Sequence, residues 1–103
     1  MERRSAQRMN FDLFVNKYID GLPYACRAVD ISASGMLIER IQEPNHTRKF
    51  YPVEIGIPGS DDRIWAWTRQ VRTSGRKQAL RFVAMDPFDE LLLDRYMDRQ
   101  AAK

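Results

Sequence analysis

Apolar and polar residues alternate through most of the chain, the period expected of half-buried strands. Phe11 to Asp20 is the first predicted strand: Phe11, Leu13, Val15 and Ile19 share one face, and Lys17 breaks the series. Asp20-Gly21-Leu22-Pro23 is a turn signal, so Tyr24 to Ser32 should return beside the first strand as a hairpin. Met36 to Ile41 is a third strand. Pro44 and Asn45 mark Gln42 to Arg48 as a loop. Val53, Ile55 and Ile57 alternate with Glu54 and Gly56 in a fourth strand, closed by the turn Pro58 to Asp62. Arg63 to Thr73 is a long fifth strand whose apolar residues change face near Thr68, which predicts a bulge there. Ser74 to Lys77 turns the chain into a sixth strand, Gln78 to Met85.

After Met85 the period changes. Asp86 suits an N-cap and Pro87 a first helical position, while Asp89 and Glu90 favour the positive end of the helix dipole. Phe88, Leu91, Leu92 and Tyr96 recur at helical spacing, with Leu93 and Met97 beside them. The expected architecture is all-β: a small six-stranded antiparallel barrel followed by a C-terminal helix over about residues 87–100. Residues 1–10 carry no such pattern and are expected to form a flexible arginine-bearing segment ahead of a barrel-and-helix unit at 11–103.

Charge adds to this picture mainly at the N-terminus. The chain has 103 residues, a length for one domain, and a net charge of +3. Arg3, Arg4 and Arg8 stand there against Glu2 alone. A guanidinium can fork onto phosphate oxygens or lie flat on an aromatic base, so this spacing suits either. Cys26 is the only cysteine, which rules out an intrachain disulfide and fits a reducing cytoplasm. No apolar run reaches the ~18 residues of a membrane span, and no signal peptide is apparent. We therefore expect a cytoplasmic protein with no membrane association.

The second chemical feature is Asp30-Ile31-Ser32-Ala33-Ser34-Gly35, at a predicted strand end. Asp30, Ser32 and Ser34 are expected to point outward, where they could hydrogen-bond a ligand or their own turn. Gly35, without a Cβ, permits a sharp turn or the close approach of a ligand. Each stretch alone reads as a solvated tail or an ordinary turn.

Together, Arg4-Ser5-Ala6-Gln7-Arg8 and Asp30 to Gly35 resemble the two-part signature of the PilZ domain, RxxxR followed by D/N-x-S-x-x-G. The resemblance runs over nearly the whole chain and implies cyclic di-GMP as ligand, bound by Arg3, Arg4, Arg8, Asp30, Ser32 and Gly35; Ser34, by its hydroxyl, and Trp67, by stacking, are candidate accessories. The chemistry agrees. Arginine can take the phosphates, the O6 and N7 acceptors of guanine, or its face. Asp30 can accept from guanine N1–H and its amine, an arrangement adenine lacks. In the family an arginine at the place of Arg3 goes with two intercalated ligand molecules, so two per chain are expected. No cofactor is implied. A downstream protein, not identifiable from the sequence, would receive the signal; the oligomeric state is left open.

Other residues carry simpler readings. Trp65 and Trp67 share one strand face and are expected in the core. His46 has no partner at metal-ligand spacing, and Cys26 reads as a small buried hydrophobe. No nucleophile–base pair is apparent, so no enzyme is expected. The alternatives are a nucleic-acid-binding barrel using the basic tail and the tryptophans, and a PilZ-fold interaction module that binds no nucleotide. The first would show strong salt dependence and bind long polyanions regardless of guanine; the intact signature argues against the second.

Overall fold

Two-residue reversals set the strand register. Asp20 and Gly21 both have positive φ, 52° and 84°, the backbone that a tight hairpin of right-twisted strands requires. They join β1 (Met9–Ile19) to β2 (Leu22–Ile31), so Leu22 and Pro23, expected in the turn, lie in the strand. Next come β3 (Gly35–Arg40), β4 (Phe50–Gly56), β5 (Arg63–Ser74), β6 (Lys77–Met85) and α1 (Pro87–Ala101). The computed structural model describes residues 9–101, with side chains from Leu13 onward. The flexible segment expected at 1–10 therefore lies outside the described residues except for Met9 and Asn10, which belong to β1. The side chain of Phe11, expected on the core face, also lies outside them.

The strands close into an antiparallel barrel in the order β1-β2-β3-β6-β5-β4, sealed where Val15 of β1 pairs with Ile55 of β4. Closure leaves no free sheet edge. Leu13, Val15, Ile19, Ile31, Ile38, Tyr51, Val53, Ile55, Ile64 and Leu80 fill the interior. The bulge expected near Thr68 is present between Trp67 and Thr68, and a second follows between Gln70 and Arg72.

The tryptophans are not core residues. Trp65 and Trp67 are 43% and 45% exposed, and Ile64, Ala66 and Thr68 face inward instead. Register against β4 decides this: Ile64 pairs with Ile55, Ala66 with Val53 and Thr68 with Tyr51, all inward-facing partners. Thr68 tolerates burial because its hydroxyl donates to the Tyr51 carbonyl at 2.8 Å.

Lys17 does not interrupt the inner face of β1 but occupies it, fully buried. Its Nζ donates to Gln78 Oε1 at 2.8 Å and pairs with Glu43 Oε1 at 2.9 Å, over the Tyr51 ring at 4.3 Å. Burial lowers its pKa, and the Glu43 carboxylate pushes it back up. His46 Nε2 contacts the other Glu43 oxygen at 3.1 Å, so the 41–49 loop closes this end of the barrel with a polar plug.

The helix buries Leu93, Tyr96 and Met97 against the barrel, an i, i+3, i+4 stripe. Leu92 is partly buried, while Phe88 and Leu91, expected on that stripe, are 65% and 44% exposed. Asp86 caps the helix, its Oδ1 accepting from Phe88 N at 2.8 Å. Asp89 Oδ2 accepts from the Trp65 amide at 3.4 Å, tying the first helical turn to β5. No helix among the described residues is long and apolar enough to cross a membrane.

Candidate functional site

Two register shifts converge on Asp30. Between Asn10 and Leu13 an extra residue enters β1 opposite β2. Between Ala28 and Asp30 an extra residue, Val29, enters β2 opposite β3. Bulges of this kind re-aim side chains, and here the effect is visible along β2. Ala28 and Ile31 are both buried although three positions apart, and half-buried Asp30 sits between them at the rim.

The connection from β2 to β3 is built by Ser32. Its amide donates to the Gly35 carbonyl at 2.9 Å, and its Oγ accepts from the Ser34 amide at 3.3 Å. The same hydroxyl lies 3.4 Å from the Gly35 carbonyl and 3.2 Å from Ser34 Oγ. Ser32 is 2% exposed, so the outward direction expected for it is wrong. The bulge before it removes the simple alternation on which that expectation rested. Ala33 and Ser34 are the exposed tip.

The turn is fastened to β6 by Phe82 N, which donates to the Ser34 carbonyl at 2.8 Å. Gly35 does not have a positive φ. It is required for another reason: a Cβ there would run into the carbonyl oxygen of Leu80 and approach the Arg81 Cα to 3.1 Å. The glycine thus permits contact between β3 and β6 rather than a left-handed turn.

Asp30, Ser32, Ser34 and Gly35 are therefore brought together on one rim. Trp67, exposed on β5, projects from the neighbouring outer face, where an open hollow of about 500 Å³ borders it with Pro52, Trp65 and Ala84. Trp65 is engaged differently, its ring centroid 5.3 Å from that of Tyr18. Arg3, Arg4 and Arg8 lie outside the described residues, but Met9, bonded to Arg8, pairs with Ile31 inside the second motif.

Burial pushes the Cys26 thiol up to about 11, which leaves it a poor nucleophile at neutral pH. No group of three or more His, Cys, Asp or Glu side chains that could hold a metal occurs among the described residues.

Comparison with known proteins agrees with this architecture. The family model described as PilZ domain matches residues 2–99. The fold resembles that of the Bacillus subtilis inhibitor of motility MotI/DgrA, at 19% identity and a TM-score of 0.76, covering 100% of this chain and 54% of that one. The chain thus spans about half the length of that protein. An uncharacterised Legionella protein, Lpg0364, is similar at 16% identity and a TM-score of 0.63, covering 92% of this chain and 98% of its own. The PilZ domain of CeSA from a cellulose-synthesizing bacterium is similar at 16% identity and a TM-score of 0.67, covering 87% and 93%. At these identities the likeness is one of fold. No curated protein sequence matches the chain.

Proposed function

The chain belongs to the PilZ domain family, and on that premise we propose that it is a receptor for cyclic di-GMP. PilZ domains are generally cyclic di-GMP receptors, and typically binding modules rather than enzymes. The observation that carries the reading is the pairing of Met9 with Ile31. It joins the last arginine of RxxxR, through one peptide bond, to a residue aligned with the interior of D-x-S-x-x-G.

In this reading Arg4 and Arg8 bind phosphate oxygens and one guanine, as charge-assisted forks. Asp30 accepts from the guanine N1–H and amine. Ser32 holds the turn in shape, Ser34 offers its exposed hydroxyl, and Gly35 keeps the turn against β6. The exposed face of Trp67 stacks on a base. Arg3 serves a second, intercalated ligand molecule. Binding draws residues 1–8 onto the barrel and creates a surface that a downstream protein recognises. Such a receptor works in the cytoplasm, where its second messenger is found.

The test is thermal unfolding with saturating cyclic di-GMP, with cyclic di-AMP and GTP as controls. Mass action predicts a rise in Tm with cyclic di-GMP alone, absent in Arg8→Ala. The exposed tryptophans also suit single-stranded nucleic acid. A shift with oligonucleotides and none with cyclic di-GMP would favour that reading.

A further inference from the structure

The outer face of the sheet beside the motif turn carries two arginines that have no counter-charge among the described residues. Arg81 of β6 is aligned with Gly35, and Arg69 of β5 is aligned with Arg81. Both are exposed while their neighbours Leu80 and Thr68 are buried, so the two side chains leave the sheet on the same side. Directly opposed residues of an antiparallel pair have Cβ atoms about 4.5–5.5 Å apart, and like charges there repel. Among the described residues neither guanidinium has an ion pair or a side-chain hydrogen bond. The exposed arginines Arg48 and Arg63 are paired, with Asp20 and Glu54.

We propose that Arg81 and Arg69 are a second phosphate-binding pair of the cyclic di-GMP site, which rests on the receptor reading above. The barrel order places β1 on one flank of the motif strands β2 and β3, and β6 on the other. Cyclic di-GMP carries its two phosphates on opposite edges of one ring. A ligand lying over the turn meets Arg81 with Arg69 on its β6 flank. The missing Cβ of Gly35 lets β6 approach closely enough for Arg81 to border the turn. The repulsion between the two guanidiniums is relieved when a phosphate sits between them. Two forks fixed on a rigid sheet also lose little freedom on binding.

The test is calorimetry with cyclic di-GMP on the full chain and on Arg81→Ala, Arg81→Lys and Arg69→Ala, with the Tm of each ligand-free protein. Loss of a charged hydrogen-bonding partner predicts affinity about tenfold or more weaker for Arg81→Ala and Arg69→Ala. Arg81→Lys keeps the charge without the fork and should fall between. The deficit should shrink as salt rises. Without ligand, Arg81→Ala should melt no lower than wild type, because it removes a repulsion. Wild-type affinity in both alanine variants, or a large loss of ligand-free Tm in Arg81→Ala, would overturn this inference while the receptor reading stands. A wild-type chain that fails to bind cyclic di-GMP would overturn both.

Discussion

A Cβ at position 35 would collide with the carbonyl oxygen of Leu80, so Gly35 fixes how closely β3 and β6 pack. The obstacle is backbone, which cannot swing aside as a flexible side chain would. Gly35→Ala should therefore cost about 1–3 kcal/mol, the range for overpacking, and lower Tm by several degrees without ligand. Chemical denaturation of the ligand-free variant checks this. Unchanged stability would mean that the glycine serves only the ligand.

The polar plug at the other end of the barrel makes a separate prediction. Removing one partner of a buried ion pair strands the other, at a cost of about 3–5 kcal/mol. Glu43→Ala leaves the fully buried Lys17 ammonium with Gln78 and the Tyr51 ring alone. Lys17→Met should be milder, because Glu43 keeps contacts with His46 and Arg40. The double variant should lose less than the sum of the two, measured as a double-mutant cycle by urea unfolding.

Cys26 should make stability fall in alkali. Burial raises its folded-state pKa from 9.0 to about 11, so the folded protein holds the thiol proton more tightly than the unfolded chain. That contribution is complete below pH 9.0 and is lost as pH rises toward about 11. The cost of Cys26→Ala should therefore shrink by on the order of 2 kcal/mol between those limits. Lys17, whose pKa is lowered by burial, has the opposite sign, and because its charge and the thiolate act on each other, the difference reports the thiol together with its coupling to Lys17.

Trp67 and Trp65 should separate in their effects. Trp67→Ala removes an exposed ring and should leave Tm nearly unchanged while weakening cyclic di-GMP binding by about 1–3 kcal/mol, the value of one stacked base. Trp65→Ala breaks the contact with Tyr18 and should lower stability modestly with little effect on the ligand. Tryptophan fluorescence during titration should be quenched in wild type and in Trp65→Ala, and unchanged in Trp67→Ala.

The barrel and helix were legible because period-two runs are separated by strong turn signals such as Asp20-Gly21, and because Asp86-Pro87 marks a helix start. What failed was decided by contacts distant in sequence. Lys17 reads as an interruption until Glu43, 26 residues away, and Gln78, 61 away, supply its partners. Alternation divides β5 into two faces but does not say which is inner; register against β4 decides, and it turns Trp65 and Trp67 outward. Ser32 turns inward, against simple alternation, because Val29, an added residue opposite β3, breaks the period before it. Position 81 carries no local signal at all, and only pairing with Gly35 brings Arg81 to the motif.

The central claim is that this chain binds cyclic di-GMP through two arginine motif positions and the Asp30 rim. Isothermal titration of the full chain with cyclic di-GMP tests it most directly. The account predicts saturable binding at two ligands per chain, moving toward one in Arg3→Ala. In Arg8→Ala it predicts a loss of about 1.5–3 kcal/mol, roughly ten- to a hundredfold. A flat titration of folded wild-type protein, or wild-type affinity in Arg8→Ala, would contradict it.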